Sequence, residues 1–455
     1  MTNLPHIISL PITYLPHKMS SIPRAALYSL KTWRDHPLRK PLLLRGARQV
    51  GKSYLVRQFG LEFDHFIEIN FEKDKQIKQL FIGSLAPQPL IQKIAGYVNK
   101  PIIPGKTLLF FDEIQECEEA ITALRYFKEE LQALHVIAAG SLVDFKLNKI
   151  GIPVGRLQFL YLYPLSFSEY CEVTDHKILF QQARQSIKLD GVLHDKLLAA
   201  VKDYCWIGGM PAAVDAWITH GNFAFCQEIQ DEILLSYRQD FNKYAKDYQI
   251  PHLERVFSNI GQQLGQKYKY TSVDPELRAA SLREALALLE MAGVVHRVYH
   301  SSAQGLPLAS GMDEKRFKAY FFDVGLIQRL LGTGIKEWLL KSLSIKHIGG
   351  ISEQFVHQEY ISYTAQHTPP SLYYWHRENK QSNAEVDFLF VKDSTIVPVE
   401  VKSGRFGHMK SLKLFLESHP HSRYGLKISE SNEDDFETMY SIPFYSIQAW
   451  LADCH

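Results

Sequence analysis

The sequence predicts an α/β protein of three parts: a largely parallel sheet flanked by helices, a helical middle region ending in a winged helix, and a small α/β domain at the C-terminus. Three observations lead there. Short apolar runs alternate with helical periodicity through residues 41–165, the pattern of a parallel sheet whose crossovers are helices. From residue 166 to about 248 the apolar spacing becomes helical, as in 197–201 and 228–237. Beyond residue 348 a helical pattern precedes two apolar strands, 385–391 and 396–401, that carry acids. With 455 residues the chain exceeds one compact core. The expected division is an N-terminal arm at 1–22, then units at 23–168, 169–340 and 341–455.

Composition narrows the class. An apolar content of 46% with 22% charged residues is that of an ordinary folded chain. The formal net charge of +2 neither demands nor excludes nucleic acid, so any basic surface has to be local. The five cysteines are scattered without C-x-x-C spacing, which points to reduced thiols in a cytoplasmic protein and away from zinc or a disulfide framework. No apolar run approaches the ~20 residues of a membrane span. The opening stretch carries Pro5, Pro11 and Pro16 and lacks a basic segment followed by an unbroken apolar one, so it reads as an irregular arm and not a signal peptide.

In the first unit, strands are expected at 42–44, 66–70, 108–111, 135–139 and 157–162. After the first strand come Gly46, Ala47, Arg48, Gln49, Val50, Gly51, Lys52 and Ser53, which match G-x-x-x-x-G-K-[ST], and then Tyr54 in a helical pattern with Leu55 and Phe59 four apart. In that context glycines let backbone N–H groups turn toward phosphate oxygens, and the helix start favours negative charge. Lys52 would neutralise the outer phosphates of ATP, and Ser53 would ligate Mg²⁺. The strand at 108–111 ends in Asp112 and Glu113. Beside such a loop, Asp112 would hold the magnesium shell and Glu113 would activate the attacking water. The strand at 135–139 ends at Gly140 and Ser141, whose hydroxyl either reaches the γ-phosphate or caps a turn. P-loops also serve phosphotransferases, against which the paired acids speak.

Farther on, a helix near 253–264 is followed by Ser281-Leu-Arg-Glu284, a capping box leading into Leu286, Leu289 and Met291 and stopped by Gly293. A strand at 294–299 follows. Such a winged helix would bring Arg278, Arg283, His296 and Arg297 near DNA, or would serve only to pack domains together.

In the last unit, Asp387 and the run Glu400-Val-Lys402 lie on neighbouring strands. Alternate residues share a strand face, so Glu400 and Lys402 point together and Asp387 can meet them. Two carboxylates bind a hard cation, Mg²⁺ or Mn²⁺, and a lysine beside them orients or deprotonates water. Glu353, on the preceding helix, could add a further acid. The same residues also suit cross-strand ion pairs.

Taken with Gly155-Arg156, Tyr163-Pro-Leu-Ser-Phe-Ser-Glu169, Gly208-Gly-Met-Pro211 and Phe322-Asp-Val-Gly-Leu326, these motifs resemble the AAA-type P-loop ATPases of bacteria and archaea that carry a fused C-terminal nuclease-like domain. The resemblance spans nearly the whole chain. It implies ATP hydrolysis, Ser141 as a γ-phosphate sensor, Arg156 as an arginine finger acting in trans in a homo-oligomer, and DNA as a partner. The C-terminal acids resemble the PD-(D/E)XK nucleases, which have the restriction-endonuclease-like fold. That likeness implies catalytic roles for Asp387, Glu400 and Lys402.

Overall fold

The computed structural model describes residues 22–150, 155–185, 188–334, 345–377, 384–404, 409–432, 434–436 and 438–452. The arm expected at 1–22 lies outside them except for Ile22.

The first sheet contains β1 (Leu42–Arg45), β2 (His65–Asn70), β3 (Thr107–Asp112), β4 (His135–Ala139) and β5 (Gln158–Tyr161), in the order β2-β3-β4-β1-β5. Every pairing is parallel. The C-terminal tips of β1, β4 and β3 therefore stand side by side on one edge, where open α/β sheets bind ligands. Helices α1 (Ala26–Asp35), α2 (Lys52–Gly60), α3 (Pro87–Val98), α4 (Glu118–Glu130) and α5 (Val143–Ile150) flank the sheet. The period of two is visible in the core. Leu42 and Leu44 join Leu30, Trp33, Leu55 and Phe59 of α1 and α2, while Leu43 joins Leu90, Ile94, Leu124 and Phe127 of α3 and α4. A strand buried on both faces needs an unbroken apolar run, and β3 and β4 have one.

Helices α6 (Phe167–Glu172), α7 (Lys177–Gln185), α8 (Gly191–Ile207), α9 (Pro211–His220) and α10 (Phe223–Tyr244) build the region that follows. A capping box starts α6, with Ser166 and Glu169 exchanging hydrogen bonds. Two distant segments meet at the end of α8. Asp323, which caps α13 (Val324–Leu330) by accepting from the Leu326 N–H, also accepts from the Gly209 N–H at 2.7 Å. A Cβ on Gly209 would lie 2.1 Å from the Leu165 carbonyl oxygen, so this turn admits only glycine.

Next come α11 (Ile250–Asn259), α12 (Ala279–Met291), β6 (Val295–Ser301) and β7 (Met312–Phe321), the last two an antiparallel hairpin. The capping box expected at Ser281 and Glu284 does not form. α12 begins at Ala279, and the Ser281 N–H already bonds to the carbonyl of Arg278, so Ser281 sits inside the first turn.

The hairpin continues into the C-terminal sheet. β8 (Tyr373–Arg377), β9 (Ala384–Lys392), β10 (Thr395–Val401), β11 (Gly425–Ser429), β12 (Asp434–Phe436) and β13 (Met439–Pro443) join it in the order β12-β13-β11-β10-β9-β8-β6-β7. β6 and β8 pair in parallel through Tyr299 and Tyr373. Helix α14 (Ile345–Thr364) sets Phe355 and Val356 in the core with Phe388, Val397 and Val399. In a separate core, α15 (Lys410–Ser418) sets Leu412 and Phe415 with Val386, Leu389 and Ile396. A short α16 (Ile447–Ala452) follows β13. No helix among the described residues is long and apolar enough to cross a membrane.

The glycine contacts give a paired prediction. Gly209→Ala should destabilise the fold by about 3 kcal/mol, since its methyl meets backbone that cannot yield. Gly191→Ala, with nothing within 4 Å of its new Cβ, should stay within ~0.5 kcal/mol of the parent in a denaturant titration. Equal midpoints for the two variants would contradict this reading of the turn.

Candidate nucleotide site and C-terminal acid cluster

The turn between β1 and α2 is shaped by positive φ at Gly46 (141°), Gln49 (65°) and Gly51 (96°). A Cβ on Gly46 would stand 2.1 Å from the Leu162 carbonyl oxygen, so the turn packs directly on the backbone beside β5. Lys52 is buried and curls back over it, donating to the carbonyls of Gly46 (2.9 Å) and Ala47 (2.8 Å). Burial pushes its ammonium down to about 8, against the opposing pull of Glu113 and Asp112.

Across the strand tips, Ser53 Oγ lies 2.9 and 3.0 Å from the two carboxylate oxygens of Asp112, and Asn70 Nδ2 donates to Asp112 Oδ2 at 3.0 Å. The hydroxyl and carboxylate expected to share a magnesium shell are thus already in contact, and this donor set fits a hard oxygen-seeking cation. Glu113 follows in a left-handed conformation, φ 50°. Its Oε2 accepts from Gln115 Nε2 at 2.6 Å. Gly140 leaves room for that glutamine, because a Cβ there would sit 2.1 Å from Gln115 Oε1.

A cavity of about 580 Å³ opens over this edge. Arg48, Gln49, Gly51, Lys52, Ser53, Tyr54, Glu113 and Ser141 line it from the sheet side, and Pro211, Asp215 and Thr219 of α9 from the other. Gly46 and Ala47 border a neighbouring cavity of about 440 Å³, which they share with Glu290, His296 and Arg297. Val50 is fully buried, and its carbonyl accepts from Arg24 at 2.8 Å. Arg156 stands apart from both cavities, exposed and paired with Glu129 at 2.8 Å.

Several residues that hold this site gave no sequence signal. Arg24 also bonds Glu169 and the Tyr163 carbonyl, tying the start of α1 to the loop. Helix α10 grips the loop three times: Asp240 pairs with Arg48, Tyr237 Oη donates to the Arg48 carbonyl at 2.6 Å, and Gln49 donates to Ser236 Oγ. The turn after α12 reaches it too, since a Cβ on Gly293 would lie 3.4 Å from the Ala47 nitrogen. Of the residues expected to reach DNA, Arg297 pairs with Glu290 and rests against the rings of Tyr299 and Phe317. Burial pushes the His296 imidazole down to about 4. Both line the neighbouring cavity of about 440 Å³.

At the C-terminus the expected residues do gather, in two groups. Lys402 pairs with Glu400, while Asp387 Oδ2 accepts from the Val401 N–H at 2.8 Å. Glu353, from α14, is bonded by Tyr320 Oη at 2.7 Å and Lys318 Nζ at 3.1 Å. Lys318 comes from β7, is fully buried, and also reaches Glu385 (2.7 Å) and Asp387 (3.6 Å). Burial alone would lower its ammonium, but Glu353, Asp387 and Glu385 together hold it well above the ordinary lysine value. Burial and the neighbouring Asp387 push Glu400 up to about 7. Among the described residues, no three His, Cys, Asp or Glu side chains are grouped to hold a metal ion.

The pH dependence of nucleotide binding follows from Lys52. Phosphate oxygens favour the charged ammonium, so binding raises its proton affinity above the free-protein value of about 8. ATP affinity should be constant below that pH and fall above it, by up to about tenfold per unit. A fluorescence titration from neutral to alkaline pH reads this directly, and a flat profile across pH 8 would contradict it.

A family model described as an AAA domain matches residues 38–171. Two models described as domains of unknown function match residues 198–337 (DUF8612) and 348–447 (DUF4143). No curated protein matched the sequence. Among solved structures, the chain is similar to the Walker-type ATPase PABY2304 of Pyrococcus abyssi, at 16% identity and TM-score 0.44, covering 67% of this chain and 94% of that one. It is also similar to the Aeropyrum pernix ORC1 protein in complex with DNA, at 13% identity and TM-score 0.28, covering 72% and 97%. A third is the Thermotoga maritima RuvB Holliday junction branch migration motor, at 14% identity and TM-score 0.27, covering 60% and 86%. The parallel sheet, its glycine turn with Lys52 and Ser53, and the acids at the tip of β3 make the N-terminal part of this chain an AAA-type P-loop ATPase domain.

Proposed function

We propose that this protein is a magnesium-dependent ATPase whose nucleotide state repositions its C-terminal sheet. The contact of Ser53 with Asp112, beside a buried Lys52, carries the reading. Ser53 and Asp112 would hold Mg²⁺, which supplies charge to the β and γ phosphates. Lys52 binds the same phosphates once it leaves the carbonyls of Gly46 and Ala47. Glu113 would accept the proton of the attacking water after its carboxylate turns from Gln115, and Ser141, which lines the cavity after β4, would sense the γ-phosphate. Arg156 has no part in its own subunit's site. Its exposed position at the edge of the sheet suits an arginine finger offered to a neighbouring copy in a homo-oligomer.

The coupling route is physical. A loop that reshapes around phosphates pulls on α10 through Arg48 and Asp240, and on the α12 turn through Ala47 and Gly293. Helix α10 in turn is clamped to α13 by Asp231 and Arg329.

The C-terminal part, helix α14, antiparallel β8, β9 and β10, helix α15 and a parallel β11, supports the restriction-endonuclease-like reading, with Asp387 on β9 and Glu400 on β10. Through that domain, with the winged-helix-like hairpin beside it, the protein would act on DNA. A second reading, nucleotide-gated partner binding by a non-cleaving C-terminal domain, draws support from Lys318, which neutralises the acids that a nuclease metal needs.

Glu113→Gln should retain Mg-ATP binding and lose turnover by at least about 100-fold. Steady-state phosphate release with and without duplex DNA separates the two readings: stimulation by DNA supports action on nucleic acid, and an unchanged rate supports partner binding. Full turnover by Glu113→Gln would remove the assigned base.

A further inference from the structure

Lys318 is buried among three carboxylates. Its side chain is 0% exposed, and its Nζ lies 3.1 Å from Glu353, 2.7 Å from Glu385 and 3.6 Å from Asp387. The ring of Tyr374 covers it at 5.5 Å, and the hydroxyl of Tyr320, two residues on along the same strand, donates to Glu353. Room for the Glu353 carboxylate comes from Gly265, where a Cβ would stand 2.6 Å from Oε1. These contacts draw on four separate elements: the hairpin strand β7, helix α14, and strands β8 and β9.

A divalent cation needs carboxylate oxygens about 2.0–2.6 Å from a single point, with acids free to move in. Here the point between Glu353, Glu385 and Asp387 is taken by an ammonium that donates to Glu353 and forms ion pairs with Glu385 and Asp387. Glu400 is matched by a second ammonium, that of Lys402. A buried lysine is costly unless it is paired in this way, and removing one partner from such a cluster leaves uncompensated charge. We propose that Lys318 is the resident cation of the C-terminal acid cluster, standing from β7 among three carboxylates that without it would be free to draw together on a divalent metal. The cluster is therefore a joint between the hairpin and the C-terminal strands.

The inference deepens the non-cleaving reading, and metal binding rather than cleavage tests it. Mn²⁺ alone is titrated into the nucleotide-free full chain, and free Mn²⁺ is read by electron paramagnetic resonance. Wild type and Asp387→Asn should give superimposable curves, because the unaltered cluster takes no metal. Lys318→Met should gain a site at least about tenfold tighter, equivalent to 1.4 kcal/mol, that the added Asp387→Asn change abolishes. Lys318→Arg, which keeps the charge, should stay closed. Loss of Mn²⁺ affinity when Asp387→Asn is made in the wild-type chain would overturn the proposal, and it does not require the Lys318 variants to fold. So would a folded Lys318→Met protein that binds no more Mn²⁺ than wild type. Mn²⁺ binding at Asp387 without cleavage of DNA would leave the non-cleaving reading standing, whereas metal-dependent cleavage lost in Asp387→Asn would end both.

Discussion

Lys52 carries its charge into a turn of backbone where its hydrogen-bond partners among the described residues are two carbonyl oxygens of that same turn. Carbonyl dipoles compensate an ammonium only in part, and burial weakens its hold on the proton. A triphosphate offers the same ammonium full negative charges instead. The nucleotide-free turn is thus built around a cation whose best partner is external, and the surrounding side chains keep that turn in shape until the partner arrives.

Apart from Arg24, which belongs to the same unit, those contacts come from outside the domain that contains the turn. Arg24 holds the Val50 carbonyl, α10 holds Arg48 and Gln49, and the α12 turn lies beside Ala47. Because packed elements shift between discrete arrangements and do not deform smoothly, the proposed rearrangement at the phosphates would be shared with α10 and with the hairpin that follows α12. The hairpin is one edge of the eight-stranded C-terminal sheet, and it delivers Lys318 to the acids there. Two buried lysines, one at each end, thus bracket a continuous run of contacts.

The strands of the first sheet were legible because a doubly covered strand leaves an unbroken apolar run, and residues 135–139 match β4 to the residue. The phosphate turn was legible because its chemistry lies within eight consecutive residues. Ser281 misled because a Ser-x-x-Glu pattern also fits the interior of a first turn, and the chain turns helical earlier, at Ala279. Arg24 with Glu169, Arg48 with Asp240, and Lys318 with Glu353 are separated by 145, 192 and 35 residues, and no local pattern announces such pairs. At the C-terminus, strand alternation set Glu400 and Lys402 side by side, as the ion pair between them shows, but it could not foresee a second lysine arriving from the hairpin.

The most direct measurement is the Mg-ATP dissociation constant of the full chain and of Lys52→Ala, by isothermal titration at neutral pH. With the ammonium gone, the phosphates lose a charge-assisted partner, and affinity should fall by about 1.5–3 kcal/mol, more than tenfold. A Lys52→Ala protein that held Mg-ATP as tightly as the parent would contradict the placement of the nucleotide over this turn.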